Sequence, residues 1–343
     1  MKFIIKGVIL ILLVISCKST TTIPVKEDRS ANNFIIAFGS CNNQRLENKL
    51  WKEVLKHKPN LWIWGGDNIY SDTDDMFKMQ KDYDIVLQQP EYKKLIQTTK
   101  IMGTWDDHDY GLNDGGAEFK AKKSSQKLFL DFFGVPENDT RRQREGVYNS
   151  EEIKTEKGTI KVIVLDTRYF RSNLTEAKGL KKRYVPNTFG EGTVLGKEQW
   201  QWLENELKNT TADFNIILSS IQFLSGEHGF ETWANFPHEV DKLKQVIKQS
   251  KAKGVLLLSG DRHISEFSKT TIDGLNYPLI DFTSSGLTHA YTDYSFEPNK
   301  YRVGKVISQI SFGLLNINFD TKVIKMEMRG EGDILLQEFL QKY

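Results

Sequence analysis

The chain has 343 residues, of which 39% are hydrophobic and 27% charged, with 25 Gly and 8 Pro. That composition excludes a disordered chain, a collagen-like repeat and a polytopic membrane protein. The net charge of +2 argues against a nucleic-acid binder held by phosphate neutralisation, and two cysteines cannot build a disulfide framework.

Taken in chain order, residues 1–16 read as an address. Lys2 and Lys6 precede the apolar run 8–15, which is too short to cross a ~30 Å hydrocarbon core as a helix. A charged start, an apolar middle and the small residue Ser16 have the form of an export signal. Val14-Ile15-Ser16-Cys17 resembles a bacterial lipobox, which implies cleavage before Cys17 and a lipid anchor on it. A plain signal peptide with an incidental cysteine is the alternative. No acidic cluster follows Cys17, so nothing there directs the protein to the outside of the cell. The expectation is an exported bacterial lipoprotein of the outer membrane facing the periplasm, with the cell surface left open. Residues 17–33 are polar and aperiodic and read as a flexible tether.

From residue 34 to 343 there is no internal repeat and no Pro/Gly-rich linker, so one compact domain is expected. Apolar runs at 34–39, 61–64, 101–105, 160–165, 215–219 and 255–259 read as strands. Helical spacing marks 46–57, 91–99 after Pro90, 124–133, 197–208 and 239–251. Beyond that, 279–284, 306–319 and 322–329 alternate without helices between them. Such a series implies an α/β fold, a sheet covered by helices with extra strands added late.

Several of these strands end in metal-type ligands. Residues 34–39 run into Ser40-Cys41-Asn42, 61–64 into Gly66-Asp67-Asn68-Ile69-Tyr70, 101–105 into Asp106-Asp107-His108-Asp109, and 255–259 into Gly260-Asp261-Arg262-His263. In open α/β sheets ligands bind beyond the carboxyl ends of the strands, so Cys41, Asp67, Asp107, Asp261 and His263 are candidates for one shared edge. The bland reading is solvated loop acids at strand ends. Three carboxylates within Asp106-Asp107-His108-Asp109 repel one another when crowded, and a polyvalent cation removes that cost. Oxygen-rich ligands with one histidine or thiolate suit Ca²⁺, Mn²⁺ or Fe. CxxC, HExxH, EF-hand, P-loop and GxSxG patterns are all absent from the sequence.

Gly39-Ser40-Cys41, Gly66-Asp67-Asn68-Ile69-Tyr70, Trp105-Asp106-Asp107-His108-Asp109, Leu165-Asp166-Thr167-Arg168-Tyr169-Phe170-Arg171 and Ser259-Gly260-Asp261-Arg262-His263 stand in an order that resembles the PhoD-like alkaline phosphatases, a branch of the metallophosphatase (calcineurin-like) superfamily. Looser echoes are Gln222, 233–239 and Ser284-Ser285-Gly286-Leu287-Thr288. Members often carry an extra N-terminal β-domain, for which residues 17–34 leave no room. The resemblance implies a four-layer metallophosphatase-like sandwich of two mixed β-sheets flanked by helices. It also implies Fe³⁺ and Ca²⁺, with other divalent metals open. Carried over, Asp67 bridges the metals, Cys41 and Tyr70 bind the iron side, Asp107 takes the place of the superfamily's Gly-Asn-His-Glu asparagine, and Asp261 and His263 stand at its Gly-His-x-His pair. His108 matches the catalytic histidine, Arg168 is a candidate fork for the phosphoryl oxygens, and Asp109 is expected to orient His108 rather than bind metal.

Each assignment has a plainer counterpart. Cys41 is read as a ligand ahead of a plain buried thiol, Tyr70 has the plainer reading of a strand-ending aromatic, and Arg168 with Asp166 that of a structural ion pair. Gln222 is expected to bond the backbone. His228, His238 and His289 are expected at the surface, with substrate contact the alternative for His289, and His57 as a last-turn cation. Trp62, Trp64, Trp105, Trp200, Trp202 and Trp233 are expected in the core or a pocket wall, not as a nucleobase platform. The implied function is hydrolysis of phosphate monoesters, with diesters also accepted, by metal-activated water. The alternatives are a phosphodiesterase or phospholipase acting on lipid or wall polymers, and a non-catalytic calcium-binding surface module.

Overall fold

The computed structural model describes residues 33–179 and 182–343. The export signal, Cys17 and all of the tether except Asn33 lie outside the described residues. One mixed sheet contains β1 (Asn33–Gly39), β2 (Leu61–Gly65) and β3 (Lys100–Thr104); a second contains β4 (Asn149–Lys154) and β5 (Thr159–Val164). A two-stranded hairpin follows, β6 (Thr175–Glu176) and β7 (Tyr184–Val185). Then come β8 (Phe214–Leu218), β9 (Val255–Ser259), β10 (Ser265–Thr270), β11 (Leu279–Ser284) and β12 (Arg302–Ile307), all in the second sheet. The chain ends in β13 (Ser311–Asn318), β14 (Val323–Gly330) and β15 (Leu335–Lys342), which return to the first sheet. The orders are β15-β14-β13-β1-β2-β3 and β12-β10-β11-β9-β8-β5-β4. β1, β2 and β3 run parallel to one another, as do β5, β8, β9 and β11.

Period-2 alternation sorts each central strand between two cores. Ile36, Phe38, Leu61 and Ile63 of the first sheet meet Val162, Ile216, Leu256, Leu258 and Phe282 of the second. Phe38 and Phe282 touch across this layer, edge to face, at 4.8 Å. The opposite residues of the first sheet, Ala37, Trp62 and Trp64, pack on α1 (Trp51–Lys56), α2 (Met76–Gln88) and α3 (Pro90–Thr98). Ile163, Ile217, Val255 and Leu257 of the second sheet pack on two later helices, Gly196–Lys208 and Pro237–Ser250. The result is helix, sheet, sheet, helix, as the resemblance implied. The six tryptophans expected in the core or a wall are there, all buried except the half-buried Trp202 on Tyr148.

Three differences from the sequence reading have local causes. The first helix begins at Trp51, not residue 46, because Asn48 accepts from Leu50 N and donates to Asn42, which holds the preceding residues in a turn. α2 went unforeseen, although Asp75 caps it through Phe77 N and Lys78 N and Met79, Tyr83 and Val86 form its buried stripe. β4 and β10 also went unforeseen, because their polar residues (NSEEIK, SEFSKT) hide the alternation. His57 ends α1 and pairs with Asp333 at 2.7 Å. His238 is half-buried, 3.2 Å from Gly192 O.

His228, expected at the surface, is 8% exposed, accepts from Phe230 N through Nδ1, and leaves Nε2 without a partner. Burial, then the positive charge of Arg262, pushes its imidazole down to about 3 from 6.5. The unfolded chain therefore binds a proton below pH 6.5 that the folded chain refuses until about pH 3, so stability falls as pH drops through that window. At pH 5.5 the loss is about 1.4 kcal/mol. His228→Asn keeps an acceptor and removes the titration; between pH 7 and 5.5 its melting temperature should fall about 2–3 °C less than the wild type's. Equal falls in calorimetric scans would contradict this origin.

Candidate metal centre

The carboxyl ends of the parallel strands deliver the site. Cys41 follows β1, Asp67 follows β2, and Asp106, Asp107 and His108 follow β3, the last two opening the short helix α4 (Asp107–Tyr110). Asp261 and His263 follow β9, and Ser285 follows β11. The loops are hydrogen-bonded to one another: Cys41 N to Gly66 O at 3.3 Å, Asn42 N to Asp67 O at 2.8 Å, and Leu287 N to Ser40 O at 3.0 Å. Gly66 (φ +102°) sits so close that a Cβ there would lie 2.7 Å from Asp106 Cβ.

Left-handed backbone concentrates here. Cys41 (φ +59°), Asp67 (+50°), Asp72 (+46°), Asp261 (+68°) and His263 (+53°) all adopt it. Each non-glycine residue in that region costs on the order of 1–2 kcal/mol, and such strain persists where the surroundings over-determine it. The turns aim side chains from both sheets at a common point.

Three overlapping donor sets result: Cys41, Asp67 and His263; Asp67, Asp107 and His108; and Asp106, Asp107 and Asp261. Within each set the ligand atoms lie within 4.8 Å of one another. Asp67 and Asp107 are shared, which is the arrangement of adjacent cations with common carboxylates. Cys41 Sγ lies 3.3 Å from Asp67 Oδ2 and 3.0 Å from Ser285 Oγ. Tyr70 Oη lies 2.8 Å from His263 Nε2.

The donors fit polyvalent cations on two counts. Asp106 Oδ2 and Asp107 Oδ1 are buried with no hydrogen-bond partner, the signature of lone pairs meant for something other than the protein. Burial also pushes the Cys41 thiol up to about 11 and Asp261 up to about 7. It holds Asp67 well above the usual carboxylate range, with the charges of Cys41 and Asp107 adding to it. Without a cation, burial favours the protonated forms of these groups; a cation inverts that preference. Thiolate, phenolate and imidazole on one side suit a transition metal such as iron, and the all-carboxylate set suits calcium.

His108 is placed by residues the sequence did not suggest. Its Nδ1 lies 2.7 Å from Asp72 Oδ1, and its ring lies against Tyr70 at 4.1 Å. The imidazole's pKa is pulled down by burial but lifted further by Asp72, then by Asp107, to about 9. Asp109 does not orient His108, contrary to expectation. It accepts from Asp106 N at 2.7 Å and from Asn68 Nδ2 at 2.6 Å, because neighbouring residues on α4 face different ways.

Arg168 is fully buried, so its placement does not support gripping a phosphoryl group. The fork of Nε and Nη2 holds Asp106 Oδ1 at 2.5 Å, and Nη1 lies 2.6 Å from Glu231. Nor does it pair with Asp166, which accepts from Trp105 Nε1 and from the amides of Val147, Arg168 and Tyr169. Arg168 neutralises one oxygen of Asp106 and leaves the other for the centre. Gln222 Nε2 donates to Glu266 and Thr283 side chains rather than to backbone. His289 is at the centre, half-buried, 4.4 Å from His263 and 5.0 Å from Tyr70 between ring centroids.

Sequence reasoning thus missed Asp72 and Glu231 altogether, and it placed Ser285 only within a loose motif, with no role. Asp72 sits in Ser71-Asp72-Thr73-Asp74-Asp75, which reads as a solvated acidic loop. A cavity of about 690 Å³ beside Lys127, Arg142 and Tyr169 lies elsewhere and contains none of the candidate ligands. Its Lys127 and Arg142 are already paired with Asp131.

Stripping cations from the purified protein with a chelator should lower its melting temperature by at least about 5 °C, because bound ions stabilise only the folded state. Adding back the metals that elemental analysis found before stripping should recover the loss. An unchanged melting temperature, with elemental analysis confirming depletion, would contradict a cation-held centre.

A family model described as PhoD-like phosphatase matches residues 36–339. Alkaline phosphatase D of Bacillus subtilis (strain 168) is 31% identical over 140 residues, covering 36% of this chain and 24% of that protein. The chain thus matches about a quarter of the length of that curated relative. A solved structure of PhoD superposes with a TM-score of 0.68 at 18% identity, over 91% of this chain and 68% of that one. A dimetal phosphatase from Danio rerio superposes with a TM-score of 0.53 at 11% identity, over 90% and 99% of the two chains. These two share the fold. With the family match running from the first strand of the sandwich into its last, the chain belongs to the PhoD-like phosphatase family.

Proposed function

We propose that the protein is a metal-dependent phosphoesterase that hydrolyses phosphate monoesters, and diesters as well, by attack of water on phosphorus. The observation that carries this is the sharing of Asp67 and Asp107 among three donor sets, with His108 in one of them. Cys41, Asp67, Tyr70 and His263 would hold an iron ion, and Asp67, Asp106, Asp107 and Asp261 calcium. When bound, such cations supply Lewis acidity to the phosphoryl oxygens and lower the pKa of water towards ~7.

The protein's own groups do the rest. Asp72 fixes His108 by Nδ1 and leaves Nε2 to protonate the departing alkoxide. Tyr70, tilted against the imidazole at 4.1 Å, restricts its rotation. His108 is 19% exposed in its side chain, so the leaving group departs towards solvent. Arg168 acts through Asp106 as a positioning residue. A non-catalytic calcium-binding module is the weaker reading, because calcium has no use for a histidine held by its own carboxylate. Residues 1–17 add the proposal of an exported lipoprotein anchored through Cys17 at the outer membrane, facing the periplasm. Phosphate esters there would be cleaved outside the inner membrane.

Assay of the metal-loaded protein on p-nitrophenyl phosphate and its bis ester tests this directly. Turnover of both is expected, and turnover of neither would sink the proposal. Turnover of the bis ester alone would favour a dedicated phosphodiesterase. His108→Ala should lower kcat by about 10²-fold or more, and Asp72→Asn by about tenfold, with metal content unchanged in both. Full kcat in His108→Ala would contradict the acid assignment.

A further inference from the structure

Three guanidiniums near the centre are committed to carboxylates. Arg168 holds Asp106 and Glu231, Arg171 holds Glu231, and both are buried. Arg262, 8% exposed, holds Glu297. Arg183 is built differently, with a side chain 50% exposed. It is carried by the hairpin of β6 and β7, which is tied down where the amides of Arg183 and Tyr184 both donate to Gly229 O at 2.9 Å.

A short relay joins that guanidinium to the candidate metal ligands. Arg183 Nη2 lies 2.8 Å from Asp114 Oδ2, and the Tyr184 hydroxyl donates to the same oxygen at 2.7 Å. Asp114 N in turn donates to Asp107 Oδ2 at 2.6 Å. Asp114 is left-handed (φ +47°), and its carbonyl accepts from Arg171. An exposed ion pair contributes about 0–1 kcal/mol and does not by itself account for a strained aspartate with this many ties. Nη2 is the nitrogen of Arg183 with a partner among the described residues, and a guanidinium carries five N–H donors. The arrangement holds a cation at the rim of the centre with donors to spare.

The geometry points to Arg183 as a specificity-determining residue that receives a second anionic group of the substrate, away from the scissile phosphate. The favoured substrates are phosphate esters whose alcohol carries a carboxylate or a further phosphate. Asp114 and Tyr184 are positioning residues for it. This inference rests on the phosphoesterase reading.

Phenyl phosphate, 4-carboxyphenyl phosphate and 4-phosphonophenyl phosphate, compared on the metal-loaded full chain, test it. The wild type should favour the doubly anionic esters. In Arg183→Gln the ratio of kcat/KM for either charged ester over phenyl phosphate should fall about tenfold, mainly through KM. Arg183→Lys should restore part of it, and added salt should compress the wild-type ratio more than the variant's. A fall with only one charged ester assigns Arg183 to that anion. An unchanged ratio, or an equal loss on all three esters, would overturn the inference. Absence of turnover by the wild type on all three would overturn the phosphoesterase reading and this inference with it.

Discussion

Mutual repulsion among buried carboxylates governs this molecule. Asp106, Asp107 and Asp261 bring oxygens within 4.8 Å of one another, as do Asp67 and Asp107, and all but the half-buried Asp261 are buried, so water screens them poorly. One of these charges is answered inside the protein, by the fork of Arg168 on Asp106. Asp107 is answered in part by the Asp114 amide at 2.6 Å, and cations would answer the rest; the strained turns at Asp67 and Asp261 make sense as the cost of holding the acids together for that purpose. Remove the counter-charge and the same residues become a liability in the interior.

The sandwich makes such a concentration possible. Its parallel strands end on one side of both sheets, so each ligand is set by a strand end and a tight turn rather than by a long loop. The inter-sheet core, with Phe38 on Phe282, fixes the two halves of the site relative to one another. The proposed chemistry would need that precision, because misplacement of a group by an ångström can cost about 10²-fold in rate.

Much of this was legible from residues alone. The apolar runs before Cys41, Asp67 and Asp261 are interior strands of their sheets, and the run before Asp107 is the edge strand β3, buried at its carboxyl end, so the strand-end rule locates the ligands. What was not legible depends on tertiary direction. Asp109 follows His108 in sequence yet faces Asn68, whereas Asp72, 36 residues earlier, meets the imidazole. Arg168 has the chemistry of a phosphate fork, and only its depth removes it from that role. Polar strands such as β10 escaped because burial between two neighbours, not alternation, makes them strands.

The ligands are also far apart along the chain. Cys41 and Asp261 touch across 220 positions, and the second sheet supplies Asp261 and His263 only after β9 is laid down. A nascent polypeptide therefore has no complete nest for an ion until most of it has been synthesised and folded. Divalent affinities follow a fixed chemical ranking whatever the protein prefers. Which ions occupy the finished centre then depends on the ions present where its folding is completed.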